Sequence, residues 1–256
     1  MKKSVPKRGD QAVEQAPQRS LGEAAYCTLR DAIQDGVLKP GQRIREIDIS
    51  DWLKVSRTPV REALRHLQSE GMIEPKAGGL AVVSLDLRAI AELYDIRESL
   101  EGTAAALAAR HADPTEIALL QSMIEAHRQW PSDARAQAHH NKSFHEQLYR
   151  AAHNRFLLKS LQGLRDSMVL LGPTTLALPA RADAAWAEHA EIVAAIAAQE
   201  PVRAEAAAHS HIRAGYKERV RAMAESMRET AQYHPVTIEM PAVSPRRVTA
   251  KMNSNR

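Results

Sequence analysis

Ser56-Arg57-Thr58-Pro59-Val60-Arg61-Glu62-Ala63-Leu64 opens a helix whose two faces differ in kind. Ser56 suits the N-cap, Pro59 is tolerated in the first turn, and Glu62 places a negative charge near the positive helix end. Val60, Ala63, Leu64 and Leu67 form an apolar stripe, while Arg57, Arg61 and Arg65 recur at i, i+4 and i+8 on the other side. Gly71 ends the helix. Met72-Ile73-Glu74 and Leu80-Ala81-Val82-Val83 then flank Pro75-Lys76-Ala77-Gly78-Gly79, the pattern of a two-stranded hairpin with a glycine tip.

Working outward, Ala25, Leu29 and Ile33 give helical spacing from Leu21 to Asp35, and Gly36 supplies a stop. Pro40-Gly41 is a turn, and a short helix is predicted over 46–53. Three helices and a hairpin make a winged helix-turn-helix. The arginine stripe has two readings, a solvated basic face or a DNA reader. Guanidinium groups bind phosphates and bridge guanine N7 and O6, and the helix N-terminus favours a phosphate. The preceding helix, short turn and wing favour DNA.

The whole chain has 256 residues, 44% apolar and 26% charged, which excludes a wholly disordered protein. Composition shifts near residue 83. Residues 1–82 hold seven of eleven glycines, whereas 83–230 hold 33 of 44 alanines. The expected fold is therefore mainly α: a winged helix-turn-helix over 20–84, then an all-α helical bundle over 85–232. The polar ends, 1–19 and the basic 233–256, read as disordered tails that bury too little apolar surface to offset ordering entropy. Breaks at Pro114, Pro131, Gly172-Pro173, Pro179 and Pro201 leave helices near 87–112, 114–129, 133–152, 154–171, 181–199 and 201–230, the last either single or divided.

The net charge of +4 is unevenly spread. Residues 1–82 carry fourteen basic and eleven acidic side chains, residues 83–239 seventeen and twenty, and residues 240–256 four and none. A basic head and tail thus flank a slightly acidic middle, which suits an anionic partner at the ends. Cys27 is the one cysteine, so no intrachain disulfide or cysteine-based metal site is available, in keeping with a reducing cytosol. No run of about 18 apolar residues offers a membrane span. Lys2, Lys3, Lys7 and Arg8 are not followed by the apolar stretch of a secretory signal, so the expected location is the cytoplasm.

Nine of the eleven histidines lie between residues 111 and 211. His111, His127 and His153 fall near helix ends, where imidazole can cap carbonyls. His139 and His140 are adjacent and point apart. Asn141 and His145 are i and i+4 on one helical face, His189 precedes Ile192, Val193 and Ile196, and His211 lies on the last helix. Three imidazoles and an amide oxygen can fix a divalent ion with positions left open. The bland alternative is ordinary polar or core histidines. Arg97 and Glu101, also i and i+4, have as their bland reading a helix-surface ion pair.

Ser56 to Leu64, with Pro40-Gly41 before it and Glu70-Gly71-Met72-Ile73 after it, resembles the winged helix of GntR-family bacterial transcription regulators over residues 21–83. The resemblance implies that Arg57 and Arg61 read the major groove, with Arg65 on the same face. It also implies that Arg45 and Thr58 contact phosphate, and that the wing at Lys76 and Gly78 approaches the minor groove or backbone. Ile47 stands where some members have arginine, so a contact there is lost or replaced.

Residues 87–225 resemble the FCD-type ligand-binding domain of the FadR subfamily. The matching pieces are Tyr94-Asp95-Ile96-Arg97 with Glu101, Asn141-Lys142-Ser143-Phe144-His145, Glu188-His189 with Ile192 and Ala195-Ile196, and His211-Ile212. The resemblance implies a metal site of Asn141, His145, His189 and His211, holding zinc or, as alternatives, nickel or manganese. Asparagine replaces the more common aspartate, which weakens the metal and leaves more positive charge for an anionic effector. It also implies that Arg97 binds a carboxylate beside Glu101. Thr174 and Thr175, where a helix is interrupted, either line the pocket mouth or form a plain turn.

The reading that follows is a non-enzymatic regulator, most readily a repressor. It is a homodimer on an inverted-repeat operator in double-stranded DNA, tuned by a small organic acid, with no membrane partner. A metal-dependent hydrolase is the competing reading, since an open three-histidine site can activate water. It lacks a placed general base, because Glu146 and Glu188 adjoin ligands in sequence and so turn away from them. An architectural DNA-binding protein would need no histidine-lined pocket.

Overall fold

The structure, a computed structural model, describes residues 20–126 and 133–232. The predicted tails at 1–19 and 233–256, together with His127 and Pro131, lie outside the described residues.

The amino-terminal part is built on α1 (Leu21–Gln34), α2 (Glu46–Leu53) and α3 (Arg57–Ser69). Ser20 caps α1 by accepting from the Glu23 amide at 3.1 Å. The expected side-chain cap at Ser56 is not made; Ser56 occupies the N-cap in extended backbone without a side-chain hydrogen bond. The wing is larger than the two strands expected. β2 (Ile73–Lys76) and β3 (Gly79–Val82) are joined by β1 (Arg43–Ile44) in an antiparallel sheet ordered β1-β3-β2. A two-residue strand shows no alternation to read, and it forms because Arg43 and Ile44 lie opposite Ala81 and Leu80. The Gly41 amide donates to the Val82 carbonyl at 2.9 Å, tying the Pro40-Gly41 turn to that sheet.

Leu29, Leu38, Ile49, Leu67, Met72 and Ile73 are all nearly or wholly buried in one core. α3 therefore offers its apolar stripe inward, and Arg57, Arg61 and Arg65 remain exposed.

The second part is a bundle of α4 (Leu87–His111), α5 (Pro114–Ala126), α6 (Ala134–Ala151), α7 (Arg155–Met168), α8 (Pro179–Ala197) and α9 (Pro201–Gln232). Asp86, Asp133 and Asn154 cap α4, α6 and α7 through their side chains. α9 is one helix, not two. α7 stops at Met168 and gives way to 3₁₀ turns at Val169–Leu171 and Thr175–Ala177, shorter than the helix expected to reach 171. Ala104, Ala105 and Ala108 of α4 are buried and small, so α4 packs closely against α6, α7, α8 and α9. At Gly102 the space that a Cβ would fill is taken by the His209 ring. His153, expected to cap a helix end, instead bonds Glu116 through Nε2 at 2.8 Å and sits at φ 50°.

The segment after α7 joins the two parts. Val169 and Leu170 are buried in the winged-helix core. Pro173 packs against Gly36, where an added Cβ would lie 3.0 Å from Pro173 Cγ and where a φ of +72° already disfavours any side chain. Arg219 of α9 donates from Nη1 to the carbonyls of Leu171 and Pro173 at 2.9 and 3.0 Å. Arg30 of α1 pairs with Asp166 of α7 at 2.8 Å.

Truncating a residue at the centre of the first core tests this architecture. Leu67→Ala is expected to lower unfolding free energy by about 2–5 kcal/mol, read from urea denaturation. A loss under about 1 kcal/mol would show that the α3 stripe is not packed as described.

Candidate DNA-reading face and histidine-lined cavity

On the amino-terminal part, Arg57 and Arg65 are exposed and Arg61 is held by Glu46 of α2 through two bonds of 3.0 and 2.8 Å. Arg45, the residue before α2, pairs with Asp48 at 2.7 and 2.8 Å. Thr58, Lys76 and Gly78 are exposed. These partners hold Arg45 and Arg61 extended along the surface, where a phosphate or base edge can replace a carboxylate. Glu46, amid three arginines, titrates below its ordinary value, first because of its hydrogen bond to Arg61. Ile47 is large, apolar and exposed on the same short helix.

The bundle brings His145 of α6, His189 of α8 and His211 of α9 together with ligand atoms within 4.8 Å of one another, all three buried. Each ring is set by its neighbours. Glu101 Oε2 lies 2.9 Å from His145 Nδ1, and Glu188 Oε2 lies 2.7 Å from His211 Nδ1. Each carboxylate accepts an Nδ1–H, which leaves Nε2 of both rings as lone-pair donors. His145 Nε2 is buried with no partner, and His189 Nε2 lies 3.3 Å from His211 Nε2. Phe144 stacks on the His189 ring at 4.1 Å, fixing its plane.

The electrostatics keep these imidazoles ready to donate. Burial, then the charges of His211 and His145, hold His189 well below its ordinary value. Burial also lowers His211, partly offset by its bond to Glu188, to about 4. Both are neutral at pH 7, the form that ligates a cation. Burial alone would raise the Glu101 carboxyl, but Arg97 and then His145 outweigh it and keep it ionised well below the usual carboxylate range. Burial, reinforced by Glu101, raises the Tyr149 hydroxyl.

A cavity of about 170 Å³ opens beside this cluster. Asn141, His145, His211, Arg97, Thr174 and Thr175 all border it, so the structure brings the sequence-derived residues together with two exceptions. His189 is fully buried behind them. Glu101 is not on the wall; its oxygens are taken by Arg97 and His145, so its role is to hold those two side chains rather than to touch a ligand. Thr174 spends its hydroxyl oxygen on the Leu176 amide at 3.2 Å.

Two expectations are overturned, those for Glu188 and for His139 with His140. Of the two readings of Arg97 and Glu101, the surface pair is excluded, the residues being 8% and 2% exposed because α4 is covered on several sides. Glu188 does not turn away from the site. Adjacency prevents it from sharing an ion with His189, but it meets His211 across α9 and binds Arg181 through both oxygens at 2.9–3.0 Å. That occupancy commits Glu188 to His211 and Arg181 rather than to the work of a general base. His139 and His140, expected to face apart, both border a second groove against α1. Sequence reasoning missed Tyr149 and Arg181. Tyr149 is i+4 from His145, and Arg181 is seven residues before Glu188 on α8, so both spacings were available.

The buried Arg97–Glu101 pair generates a pH-dependent expectation. Removing one partner strands the other charge, so Glu101→Gln is expected to cost about 3–5 kcal/mol in chelator-treated protein. Because the folded-state pKa is depressed, this contribution is complete above the ordinary value of 4.5 and lost as pH falls toward the folded value. Urea midpoints of the two proteins should differ by a constant amount above about pH 5 and converge below it. A gap that widens with acid would contradict the pairing.

Comparison with known proteins gives matches to both halves. The bacterial regulatory protein gntR family matches residues 21–83, and the FCD domain matches residues 92–214. The chain is 34% identical over 188 residues to the probable D-xylose utilization operon transcriptional repressor of Paenarthrobacter nicotinovorans, covering 71% of this chain and 81% of that one. It is 32% identical over 145 residues to the uncharacterized HTH-type transcriptional regulator YdhC of Bacillus subtilis (strain 168), covering 55% of this chain and 65% of that one. It is 34% identical over 130 residues to the Nta operon transcriptional regulator of Aminobacter aminovorans, covering 50% and 62%. The chain thus spans just under two thirds of the length of these last two relatives. The solved structure of E. coli McbR/YncC superposes with a TM-score of 0.62 at 23% identity, over 83% of this chain and 99% of that one, a likeness of fold.

Proposed function

The chain belongs to the GntR family of bacterial regulatory proteins, with an FCD domain behind its winged helix, and on that premise we propose that it is a cytoplasmic, metal-dependent, acid-responsive transcriptional repressor. It would bind an inverted-repeat operator as a homodimer. The observation that supports the sensing role is the pair of carboxylates, Glu101 and Glu188, that leave Nε2 of His145 and His211 facing a cluster with His189. A stranded, buried Nε2 on His145 costs free energy unless something accepts its lone pair. A divalent cation does so.

His145, His189 and His211 would hold that ion, with Asn141, one turn before His145 on the cavity wall, as an oxygen donor. Three nitrogen donors and a neutral amide suit zinc, with nickel or manganese as alternatives. The ion would supply a fixed positive charge able to attract a ligand oxygen. The surroundings support an acid as that ligand. Arg30, Lys142, Arg165, Arg181 and Arg219 line the cavity along with Arg97, and no carboxylate does among the described residues. Four of the arginines are neutralised from behind by Asp166, Glu101, Glu146 and Glu188. Arg219 spends itself on carbonyls and Lys142 makes no ion pair among the described residues, so positive charge remains. Arg97 would take the carboxylate, and Thr174 and Thr175 would close the mouth.

At the other end, Arg57, Arg61 and Arg65 would enter the major groove. Arg45 and Thr58 would meet phosphate, and Lys76 and Gly78 would bring the wing to the minor groove or backbone. Among the described residues no helix is long and apolar enough to cross a membrane.

Two experiments test the reading. With an operator selected from random DNA, Arg61→Ala is expected to lose at least about tenfold in sequence-specific affinity by fluorescence anisotropy, with unfolding unchanged. Retained specificity would sink the recognition-helix assignment. Purified wild-type protein is expected to carry close to one equivalent of divalent metal per chain by plasma emission spectroscopy, and His189→Ala to carry far less. Equal metal content in the two proteins would overturn the site.

A further inference from the structure

The cavity is not made by the effector bundle alone. Arg30 and Gln34, both on α1 of the DNA-binding part, belong to its wall. So do Val169, Leu171 and Gly172, from the segment whose Val169 and Leu170 are packed into the winged-helix core. The space is thus closed on one side by the helix that packs against the recognition helix α3.

Arg30 has donors to spare. Its Nη2 is taken by Asp166 at 2.8 Å, while its Nε is shut off from water and has no hydrogen-bond partner. A guanidinium presents five N–H donors in a fixed fork, so one ion pair leaves most of them unused. Arg97, His145 and His211 line the same cavity from α4, α6 and α9, the inner site of the bundle, whereas Arg30 lines it from α1. One carboxylate can satisfy the inner site. Arg30 is then left to take a second anionic group.

Resting on the carboxylate-pocket reading above, we propose that the effector is a compact dicarboxylate held across the domain boundary, its first carboxylate on Arg97 and the inner site and its second on Arg30 and Gln34 of the DNA-binding domain. The ligand then touches both domains directly. Its binding energy acts on the position of α1, and through α1 on α3, with no relay through the bundle. Arg30 would hold the ligand through the donors that Asp166 leaves unused, so the effector adds a contact beside a bond that orients the two domains. The 170 Å³ volume is below the range of drug-sized sites and fits a short-chain acid.

The test uses the full chain loaded with zinc and isothermal titration with malonate, succinate, glutarate and adipate, each against the monocarboxylate of equal chain length. Wild-type protein is expected to bind at least one dicarboxylate at least about tenfold more tightly than its monocarboxylate, the gain of one charge-assisted contact. Arg30→Ala should erase that preference. Asp166→Asn, which removes the same ion pair but keeps the guanidinium, should retain or increase it. If Arg30→Ala keeps the preference, or the wild type has none, the bridge across the domains is wrong while the carboxylate pocket stands. If Asp166→Asn loses the preference as Arg30→Ala does, Arg30 only holds the domains together and the proposal fails. Binding of neither class to the wild type would overturn the pocket itself, and the bridge with it.

Discussion

Two carboxylates placed behind three imidazoles set the terms for the rest of this structure. Glu101 and Glu188 are removed from water to different degrees, and each is held ionised by its partners: Arg97 and then His145 for the first, the hydrogen bond from His211 and then Arg181 for the second. Burying such charges costs several kcal/mol per ion unless paired and hydrogen-bonded. That requirement fixes which residues stand where α4, α6, α8 and α9 cross. It also fixes which nitrogen of His145 and of His211 carries the proton, and therefore which one is left to bind something.

The consequences extend outward. Small residues along α4 let neighbouring helices come close enough for these pairs to form, and the alanine-rich composition of the bundle has this physical use. The cavity that results is walled by cations whose countercharges sit behind them. Such a wall is stable without a ligand yet still offers donors to an anion, because a guanidinium bound on one edge has another edge open. The interrupted segment between α7 and α8 closes that space. It also buries Val169 and Leu170 in the DNA-binding core, so the floor of one domain is part of the wall of the other's cavity. The cavity and the DNA-binding part are thereby mechanically adjacent.

Much of this was legible in the sequence. The apolar stripe Val60, Ala63, Leu64 and Leu67 against Arg57, Arg61 and Arg65 determined α3 and its exposed face, because helical period is a local property of consecutive residues. Prolines and glycines marked the helix borders for the same reason. Asn141 and His145 were readable as one face at i, i+4, and His189 and His211 as candidates to join them. The two-residue strand β1 was not, since nothing in Arg43-Ile44 distinguishes a strand until β3 lies beside it.

What only the tertiary structure decided is everything that depends on a crossing between helices. Whether Arg97 and Glu101 lie on the surface or in the core is the same i, i+4 spacing in both cases, and the covering helices choose. Glu188 reads as turned away from His189 in a single helix, and becomes the partner of His211 only because α9 runs past it. Arg30, an unremarked residue of the first helix, becomes part of the cavity wall because Val169 and Leu170 dock into the winged-helix core. The sequence by itself determined the elements, their inward faces and which side chains are candidate ligands, all set within a turn or two of chain. Burial, tautomer and the shared cavity belong to neighbours far apart in sequence, and free energy of desolvation is defined only once those neighbours are in place.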